Sequence, residues 1–469
     1  MKLFKKPIFV SVSPNAQADD VWLAFRLMFQ PWKWKKGKEI GEFEKMLGEY
    51  LVDDRKTSPQ PSPYQGEGEI HPNPPLQKEG VILFESGRTA LYAILMALGI
   101  GGGDEILIQA FTCTAAVNPV LWVGARPVYV DVDENTYNMS PDDLRKKINS
   151  RSKVLIIQNT FGYPGKIDEL LGIAREHNLI VLEDCAHNLG SEYNGKKIGT
   201  FGEASFFSFG RSKVISSVFG GAAFAKNIEL AKKIKDIQTG WKYPSVFWIV
   251  QQLFHPVYMA IAKLLYNFLN IGKIMVAAGK KLGLISIMVY PIEKQGGRPF
   301  FSPSKMPNAL AILAINQMKK LEKFNEHRRE VAELYENGLN FLLEQGHIEI
   351  PPSPPLEKGG VENRILQKAD VKPVFLIYPI QVRDFETRQK LIRESRRRGI
   401  YLEAWPAYDK KVVGPDNVDQ KKLYYEDGLC PAAEHAAETS VNLPTSPNTS
   451  LGDAKRVMGF LKEFFKIQK

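Results

Sequence analysis

Cysteine is scarce in this chain, and the three that occur, Cys113, Cys185 and Cys430, lie far apart. An odd number of distant cysteines gives no disulfide framework, so we expect reduced thiols and a cytoplasmic location. No group of cysteines and histidines has the spacing of a zinc site, and we therefore expect no metal centre. The first residues, MKLFKKPIFVSVSPN, become polar too soon for a secretory signal.

Long runs without charge are also rare. One exception is PSVFWIVQQLFHPVYMAIA at residues 244–262, whose nineteen residues are long enough in principle to span a bilayer. Two glutamines, His255 and Pro256 argue against a spanning helix, and lysines recur after the run. The region predicts amphipathic helices that pack against a dimer partner, form a lid, or make peripheral membrane contact through residues 244–292.

Signatures of nucleic-acid binding are absent, although the formal net charge is +10. Residues 226–298 contain eleven lysines and arginines against three acids, so most of the excess is local. A local basic stretch rich in apolar residues is more typical of an anionic surface or substrate than of DNA reading. We therefore expect no nucleic-acid partner.

Short apolar runs dominate the first half of the chain, in the order EILIQ, PVYVD, KVLIIQ, LIVLED and ASFFSF. Helical segments such as KIDELLGIAREH lie between some of them, and this alternation predicts a doubly wound, mainly parallel α/β sheet. Residues 17–30 and 38–52 have the spacing of amphipathic helices. With 469 residues, of which 44% are hydrophobic, the chain can form two or three domains.

The chain is organised around residues 179–213. The run LIVLED is apolar until it ends at two acids, so Asp184 is expected at the carboxyl end of a buried strand. The next strand, ASFFSF, brings Ser208 and then Lys213 to the same edge. A carboxylate, a hydroxyl and a lysine suit pyridoxal phosphate, which needs a partner for its ring nitrogen, donors for its phosphate and an amine for its aldehyde.

A second candidate feature is the turn Ser86–Thr89, where the strand VILF passes into the helix RTALYAILMAL. Backbone N–H groups at a helix N-terminus form an anion site. For the turn taken alone, N-capping by Ser86 is the simpler interpretation.

The motifs D-x-A-H at Asp184–His187 and S-F-x-x-x-K at Ser208–Lys213 resemble those of the DegT-type (DegT/DnrJ/StrS) sugar aminotransferase family. The likeness runs from GEFEKMLGEYL to NLPTSPNTS, apart from a few inserts. It implies an aspartate aminotransferase-like fold of type I, with a large domain on a mainly parallel seven-stranded sheet and a smaller C-terminal α+β domain. It also implies pyridoxal 5'-phosphate, a homodimer, glutamate as amino donor and a nucleotide-linked keto sugar as acceptor.

The resemblance also assigns roles to individual residues. Lys213 would join the cofactor aldehyde and move protons, Asp184 would hold the ring nitrogen, and His187 would lie over one face of the ring. Ser208 would bind the phosphate together with the turn Gly87, Arg88 and Thr89, where Arg88 replaces a usual small residue and could contact substrate instead.

Several positions depart from the family pattern. Cys113 stands where an aromatic ring usually covers the cofactor, so either Phe111 takes over that role or the stacking is looser. Pro303 replaces an asparagine that reaches the neighbouring subunit's cofactor phosphate, for which Ser302 or Ser304 could substitute. Asn159 could contact the phenolic oxygen of the cofactor, although a turn-forming role is equally compatible with the sequence.

Composition divides the chain into five segments. Residues 1–52 are predicted as an N-terminal helical segment and 53–80 as a disordered insert rich in proline and glycine. Residues 81–240 form the cofactor-binding domain, 241–300 a basic, apolar helical insert, and 301–469 the small domain with a proline-rich loop at 351–362. The octapeptide PPLQKEGV recurs as PPLEKGGV in the second of these loops.

The functional hypothesis is transamination of a nucleotide-linked keto sugar for a surface polysaccharide or glycolipid. Lys213 argues against a dehydrating branch of the family, in which histidine replaces this lysine. Two alternatives stay open: another reaction of the same cofactor, or a non-catalytic regulator that keeps the pocket. The location is predicted as cytoplasmic, with the inner face of the membrane as the alternative. The sugar, its nucleotide and the carbon that is aminated are not specified by these features.

Overall fold

The computed structural model describes residues 7–52, 80–351 and 370–466. Almost all of the predicted insert 53–80 and of the proline-rich loop 351–362 lies outside these residues, and so does the repeated octapeptide, apart from Gly80 and Val81 at the end of its first copy. The two N-terminal helices predicted for residues 17–30 and 38–52 are present.

The strands are numbered in chain order over the described residues. They are β1 Ile8–Phe9, β2 Val81–Phe84, β3 Glu105–Gln109, β4 Thr112–Cys113, β5 Arg126–Val130, β6 Ser152–Gln158, β7 Ile180–Asp184, β8 Glu192–Tyr193, β9 Lys196–Lys197, β10 Ala204–Ser208, β11 Gly221–Ala225, β12 Ile348–Glu349, β13 Val371–Lys372, β14 Tyr378–Val382, β15 Ile400–Tyr401, β16 Val413–Gly414 and β17 Ser440–Leu443.

The helices follow the same numbering. They are α1 Ala18–Met28, α2 Glu39–Leu51, α3 Gly87–Ala97, α4 Thr114–Trp122, α5 Pro141–Lys147, α6 Ile167–Glu176, α7 Ile228–Thr239, α8 Val246–Leu264, α9 Ile271–Lys281, α10 Asn308–Met318, α11 Leu321–Glu344, α12 Phe385–Arg397, α13 Pro431–Thr439 and α14 Leu451–Lys466.

The central sheet has seven strands in the order β2-β11-β10-β7-β6-β3-β5. Strands β10, β7, β6, β3 and β5 run parallel, and β11 is antiparallel to both of its neighbours. This arrangement confirms the predicted mainly parallel seven-stranded sheet. The apolar runs lack a polar alternation because both faces are covered: Ile156 on β6 packs into one core, and Leu155 and Ile157 pack into another.

The C-terminal part has its own core around the three-stranded antiparallel sheet β12-β14-β17. Tyr335 of α11, Ile380 of β14 and Leu461 of α14 are among its fully buried residues. Helix α10 lies within the segment predicted as the small domain, yet it packs against α2 and contributes to the core around β2 and β11. The predicted division at residue 301 therefore stays a prediction.

The predicted insert 241–300 contains the two helices α8 and α9. Helix α8 buries Trp248, Ile249 and Leu253, and it packs against α1 and α9. The insert is thus seated on the N-terminal segment of its own chain. Among the helices that the structure describes, none combines the length and the apolar character that crossing a membrane requires.

Candidate active site

A cavity lies where β7 and β10 end and α3 begins. Asp184, Ser208 and Lys213 line it, together with Gly87 of the turn before α3. Strands β7 and β10 are parallel neighbours, with Phe206 opposite Asp184, so their carboxyl ends reach the same edge of the sheet. Ligand sites of open α/β sheets form at such edges. The cavity brings together most of the residues predicted for the site.

Asp184 ends β7 and is almost fully buried, with 7% of its surface exposed. Its Oδ1 accepts a hydrogen bond of 2.9 Å from the backbone N–H of Ala186. Burial raises the pKa of this carboxyl group, while the Ala186 bond and the charge of Lys213 act in the opposite direction. Asp184 forms no ion pair within 4.0 Å among the described residues, so one side of the cavity presents a carboxylate without a cation.

Lys213 follows β10 after a glycine turn, and its backbone N–H donates to the carbonyl of Gly210 at 3.1 Å. Burial lowers the pKa of the Lys213 amine, and the charge of Arg88 acts in the same direction. Cys113 and Asp184 oppose this shift. A lowered pKa favours the neutral amine, which is the nucleophilic form.

The backbone at Lys213 is held by two residues from distant parts of the chain. The side-chain amide of Asn15 donates to the carbonyls of Lys213 and Val214. The buried guanidinium of Arg328, on α11, donates to the Val214 carbonyl at 2.7 Å and to Asn15 Oδ1 at 2.8 Å. Neither contact follows from local sequence, and both residues were missed because they meet only in the folded chain.

The turn before α3 lies against β10 and β11. Ser86 caps the helix, since its Oγ accepts from the backbone N–H of Thr89 at 3.3 Å. A Cβ atom added at Gly87 would lie 3.0 Å from the Phe207 carbonyl and 3.1 Å from Ser208 Cβ. Gly87 is therefore required for the close approach that puts this turn beside Ser208.

The hydroxyl of Thr89, predicted to bind phosphate, is directed away from the cavity. It donates to Glu85, and it lies 2.8 Å from Ser302 Oγ. Ser304 donates to the Phe301 carbonyl at 2.5 Å, and both serines are buried in their own chain. These hydroxyls have partners within the protomer, which gives no support to Ser302 or Ser304 as contacts to a neighbouring subunit.

Two arginines line the cavity, and they differ in whether a carboxylate compensates their charge. The Arg88 guanidinium forms a buried ion pair with Glu293 and donates to the Met288 carbonyl at 2.9 Å. Arg211 is 7% exposed and donates to the carbonyl and hydroxyl of Ser286. Arg211 has no carboxylate partner among the described residues, and its Nε has no hydrogen-bond partner there. Its charge is the less compensated of the two.

His187 packs in an aromatic group beside the cavity. Its ring is parallel to that of Phe161 at 6.3 Å and edge-on to Trp405 at 5.6 Å. Burial lowers the pKa of His187 well below its usual value, and the charge of Lys213 acts in the same direction, so the ring is neutral. Trp405 also lines the cavity, although no sequence motif indicated it.

Cys113 lies in the cavity wall. Phe111 is fully buried behind it and packs against Tyr137 and Trp405, with ring centres 5.1 and 4.9 Å apart. Phe111 is therefore not placed to cover a cofactor ring in this conformation. The aromatic side chains that do line the cavity include Trp405, which comes from the C-terminal part of the chain.

Asn159 lies outside the cavity lining. Its Oδ1 accepts from the backbone N–H of Gly165 at 3.0 Å, and its carbonyl accepts from Asn188 at 2.7 Å. The turn-forming role thus describes it better than a contact to the cofactor. Gln158, one residue earlier on β6, lines the cavity and accepts from Thr112 Oγ1 at 2.6 Å.

The residues present fit pyridoxal phosphate. An unpaired carboxylate at Asp184, an amine at Lys213 and a neutral ring at His187 line one cavity or adjoin it. The glycine turn at Gly87 leaves space beside Ser208 that a Cβ atom would reduce. The N-terminus of α3, which begins at Gly87 in the cavity wall, offers backbone N–H groups to the phosphate that such a cofactor carries.

Comparison with known proteins agrees with this chemistry. The profile of the DegT/DnrJ/EryC1/StrS aminotransferase family matches residues 76–244 and 288–462, on either side of α8 and α9. The GDP-perosamine synthase of Escherichia coli O157:H7 is 27% identical over 345 residues, which cover 70% of this chain and 81% of that protein. The spore coat polysaccharide biosynthesis protein SpsC of Bacillus subtilis is 28% identical over 391 residues, covering 82% and 85%.

Comparison with solved structures also finds aminotransferases. The crystal structure of the aminotransferase TlmJ from Streptoalloteichus hindustanus superposes with a TM-score of 0.70 at 22% identity and covers 99% of this chain and all of that one. The family profile spans more than half of the sequence and includes both motifs. The chain belongs to the DegT/DnrJ/EryC1/StrS family and is a sugar aminotransferase of the pyridoxal phosphate-dependent, fold type I class.

Proposed function

We propose that the chain transfers the amino group of glutamate to a nucleotide-linked keto sugar, in the biosynthesis of a surface polysaccharide or glycolipid. The observation that carries this proposal is the meeting of Asp184, Lys213 and the Gly87 turn at one edge of the sheet. A non-catalytic regulator that keeps the cofactor would need the same amine, so amine transfer, and not the pocket alone, distinguishes the two.

Bound pyridoxal phosphate would supply an aldehyde that accepts the amino group and a ring that withdraws electrons. Asp184 would hold the ring nitrogen in its protonated form, because a carboxylate in a buried site stabilises a nearby cation. Lys213 Nζ would first hold the aldehyde and then, once free, carry a proton to and from the substrate carbon. His187, held by Phe161 and Trp405, would limit the ring to one orientation.

The charge of the cavity supports an anionic substrate. Arg211 is a buried cation without a carboxylate partner among the described residues, and burial lowers its pKa to about 9. Such a group gains most from an anion that enters the cavity. We assign Arg211 to the carboxylate of glutamate or the phosphates of the sugar nucleotide, in place of Arg88, whose charge is satisfied by Glu293.

The sugar substrate is inferred from the relatives. A GDP-perosamine synthase and a spore coat polysaccharide biosynthesis protein share most of this chain's length, which supports a nucleotide-linked acceptor and a polysaccharide product. A panel of GDP- and UDP-linked keto sugars is therefore the appropriate test.

Purified protein loaded with pyridoxal phosphate should release 2-oxoglutarate from glutamate and convert one sugar of the panel to the amino sugar. Mass spectrometry of both products measures the transfer. The Lys213→Ala variant should abolish it, while the Lys196→Ala variant, which changes an exposed lysine, should retain it.

Release of oxoglutarate without any aminated sugar would restrict the proposal to the donor half of the reaction. Undiminished transfer by the Lys213→Ala variant would refute the proposed role of this residue. Another reaction of the cofactor, such as side-chain cleavage of an amino acid, would appear in the same experiment as a product other than oxoglutarate.

The proposed assembly is a homodimer in the cytoplasm, at the inner face of the membrane. Light scattering after gel filtration measures whether the protein is a dimer.

For the location at the membrane, we propose peripheral contact through the insert residues 244–292. The exposure of Phe247 and Leu282, each 71% accessible, supports this contact. Sedimentation with vesicles tests this contact.

A further inference from the structure

A second cavity, of about 730 Å³, lies between the insert and the C-terminal part of the chain, and it shares no lining residue with the active-site cavity. It is within the size range of small-molecule sites, roughly 300–1,000 Å³. We call it the basic groove, because its charged lining residues are Lys273, Arg396, Arg397, Arg398, Arg456 and a single acid, Glu463.

The cations of the basic groove differ in their partners. Arg397 pairs with Glu394 at 2.6 Å and Arg398 pairs with Glu463 at 2.9 Å. Lys273 and Arg396 form no ion pair within the described ranges. They lie instead over the rings of Tyr266 and Tyr408, with the cations 5.7 and 5.3 Å from the ring centres. Two exposed cations that share a groove and form no ion pair there are suited to an anionic ligand.

The groove is held open by a contact between the insert and the C-terminal part. Strand β1 pairs with β15, and the ring of Phe9 lies 4.8 Å from those of Tyr266 and Tyr401. The Tyr401 hydroxyl also donates to Asn267 Oδ1 at 3.3 Å. The three packed rings fix the insert against β1 and β15, which pair with each other, so the groove does not depend on a ligand for its shape.

Three exposed apolar side chains of the insert lie within three residues of the groove-lining Asn267 or Lys273, and we call them the apolar rim. Leu264, Leu269 and Ile274 are 84%, 68% and 64% exposed, and the last two lie near Asn267 and Lys273 in sequence. A bilayer surface presents phosphates above acyl chains. The basic side chains of the groove would suit the phosphates, and the exposed aliphatic groups beside it would suit the acyl chains. A soluble phosphate would make no use of the apolar rim.

We propose that the basic groove binds the phosphate of an anionic lipid headgroup, while the rim at Leu264, Leu269 and Ile274 enters the acyl region. This site gives the insert a specific ligand class. It rests on the membrane contact proposed for residues 244–292, and it is independent of the reaction in the active-site cavity.

The test compares sedimentation with vesicles of phosphatidylcholine alone and vesicles that also contain phosphatidylglycerol. The Lys273→Gln/Arg396→Gln variant should bind the mixed vesicles about thirtyfold more weakly, because each basic side chain near an anionic surface contributes about fivefold. Lys153→Gln/Arg175→Gln is the matched control, since it removes the same charges from exposed positions outside the groove. It should bind nearly as tightly as the wild type. Replacing Leu264 and Ile274 by glutamine should weaken binding and keep the preference for phosphatidylglycerol.

Equal binding of wild-type protein to both vesicle types would overturn the headgroup site and leave the membrane contact standing. Failure to bind either vesicle would overturn both. Displacement from mixed vesicles by a modest excess of soluble glycerol phosphate would reassign the groove to a free phosphate. Loss of dimer mass in the Lys273→Gln/Arg396→Gln variant would reassign it to subunit contact. Glutamate turnover measured without vesicles should stay unchanged in all variants.

Discussion

Glu85 allows a quantitative prediction of how stability depends on pH. The residue directly follows β2, is fully buried, and accepts hydrogen bonds from Thr89 Oγ1 and, at 3.1 Å, from the backbone N–H of Ser304. It forms no ion pair within 4.0 Å among the described residues. Burial raises its pKa from 4.5 to about 7, although these hydrogen bonds oppose the shift.

Whether stability rises or falls with pH depends on which state, folded or unfolded, binds the proton of Glu85 more tightly. Because the folded state holds this proton up to about pH 7 and the unfolded state releases it near 4.5, stability falls as the pH rises through that window. Populations calculated from the two pKa values give a loss of about 2 kcal/mol between about pH 5.5 and pH 8. Above that range the loss no longer grows, because both states are ionised.

The Glu85→Gln variant removes this titration and keeps the shape of the side chain. Urea unfolding of wild type and variant, at matched pH values and without cofactor, should show the wild type losing about 2 kcal/mol relative to the variant. Glu203→Gln, which changes an exposed carboxylate, serves as the control and should follow the wild type. A constant difference between Glu85→Gln and wild type across the range would refute the buried, proton-binding carboxyl group.

Three further predictions concern the groups around the cavity. The Glu293→Gln variant leaves the buried Arg88 charge unpaired and should lower the free energy of unfolding, measured in urea, by about 3 kcal/mol. Adding Arg88→Met should restore part of this loss. If the effects of the two substitutions simply add in the double variant, the pairing is contradicted. The Arg328→Met variant removes the hydrogen bond to the Val214 carbonyl and should lower kcat with little change in KM. The Arg328→Lys variant should recover part of the lost kcat. A change confined to KM would contradict this positioning role. Because burial lowers the pKa of Lys213, the rate of pyridoxal phosphate uptake should level off at a pH below 10.5, and an inflection at or above 10.5 would contradict it.

The sheet and the centre of the site could be predicted because they depend on local patterns. Apolar runs that end at Asp184 and Ser208 identify buried parallel strands, and parallel neighbours bring their carboxyl ends to one edge. The glycine at position 87 is recognisable as a close-approach turn. These features need no knowledge of distant contacts.

Other parts of the site depend on contacts across the chain. The guanidinium of Arg88 resembles a phosphate ligand in sequence, and only folding shows that Glu293, 205 residues away, takes its charge. Trp405 and Arg328 come from the C-terminal half, where no motif marks them. Phe111 has a positive φ of 49°, and Asn159 is held by hydrogen bonds to Gly165 and Asn188. Short sequence patterns specify neither feature, so the position of these residues outside the cavity could not be predicted.

The seat of α8 on α1 has a consequence for how the protein can be altered. Trp248 of α8 is buried, and Met288 and Val289 line the active-site cavity. Deleting residues 244–292 would therefore expose the face of α1 that packs against α8, and it would remove part of the cavity wall. Chimaeras with other members of the family should therefore exchange helix α1 and the insert together.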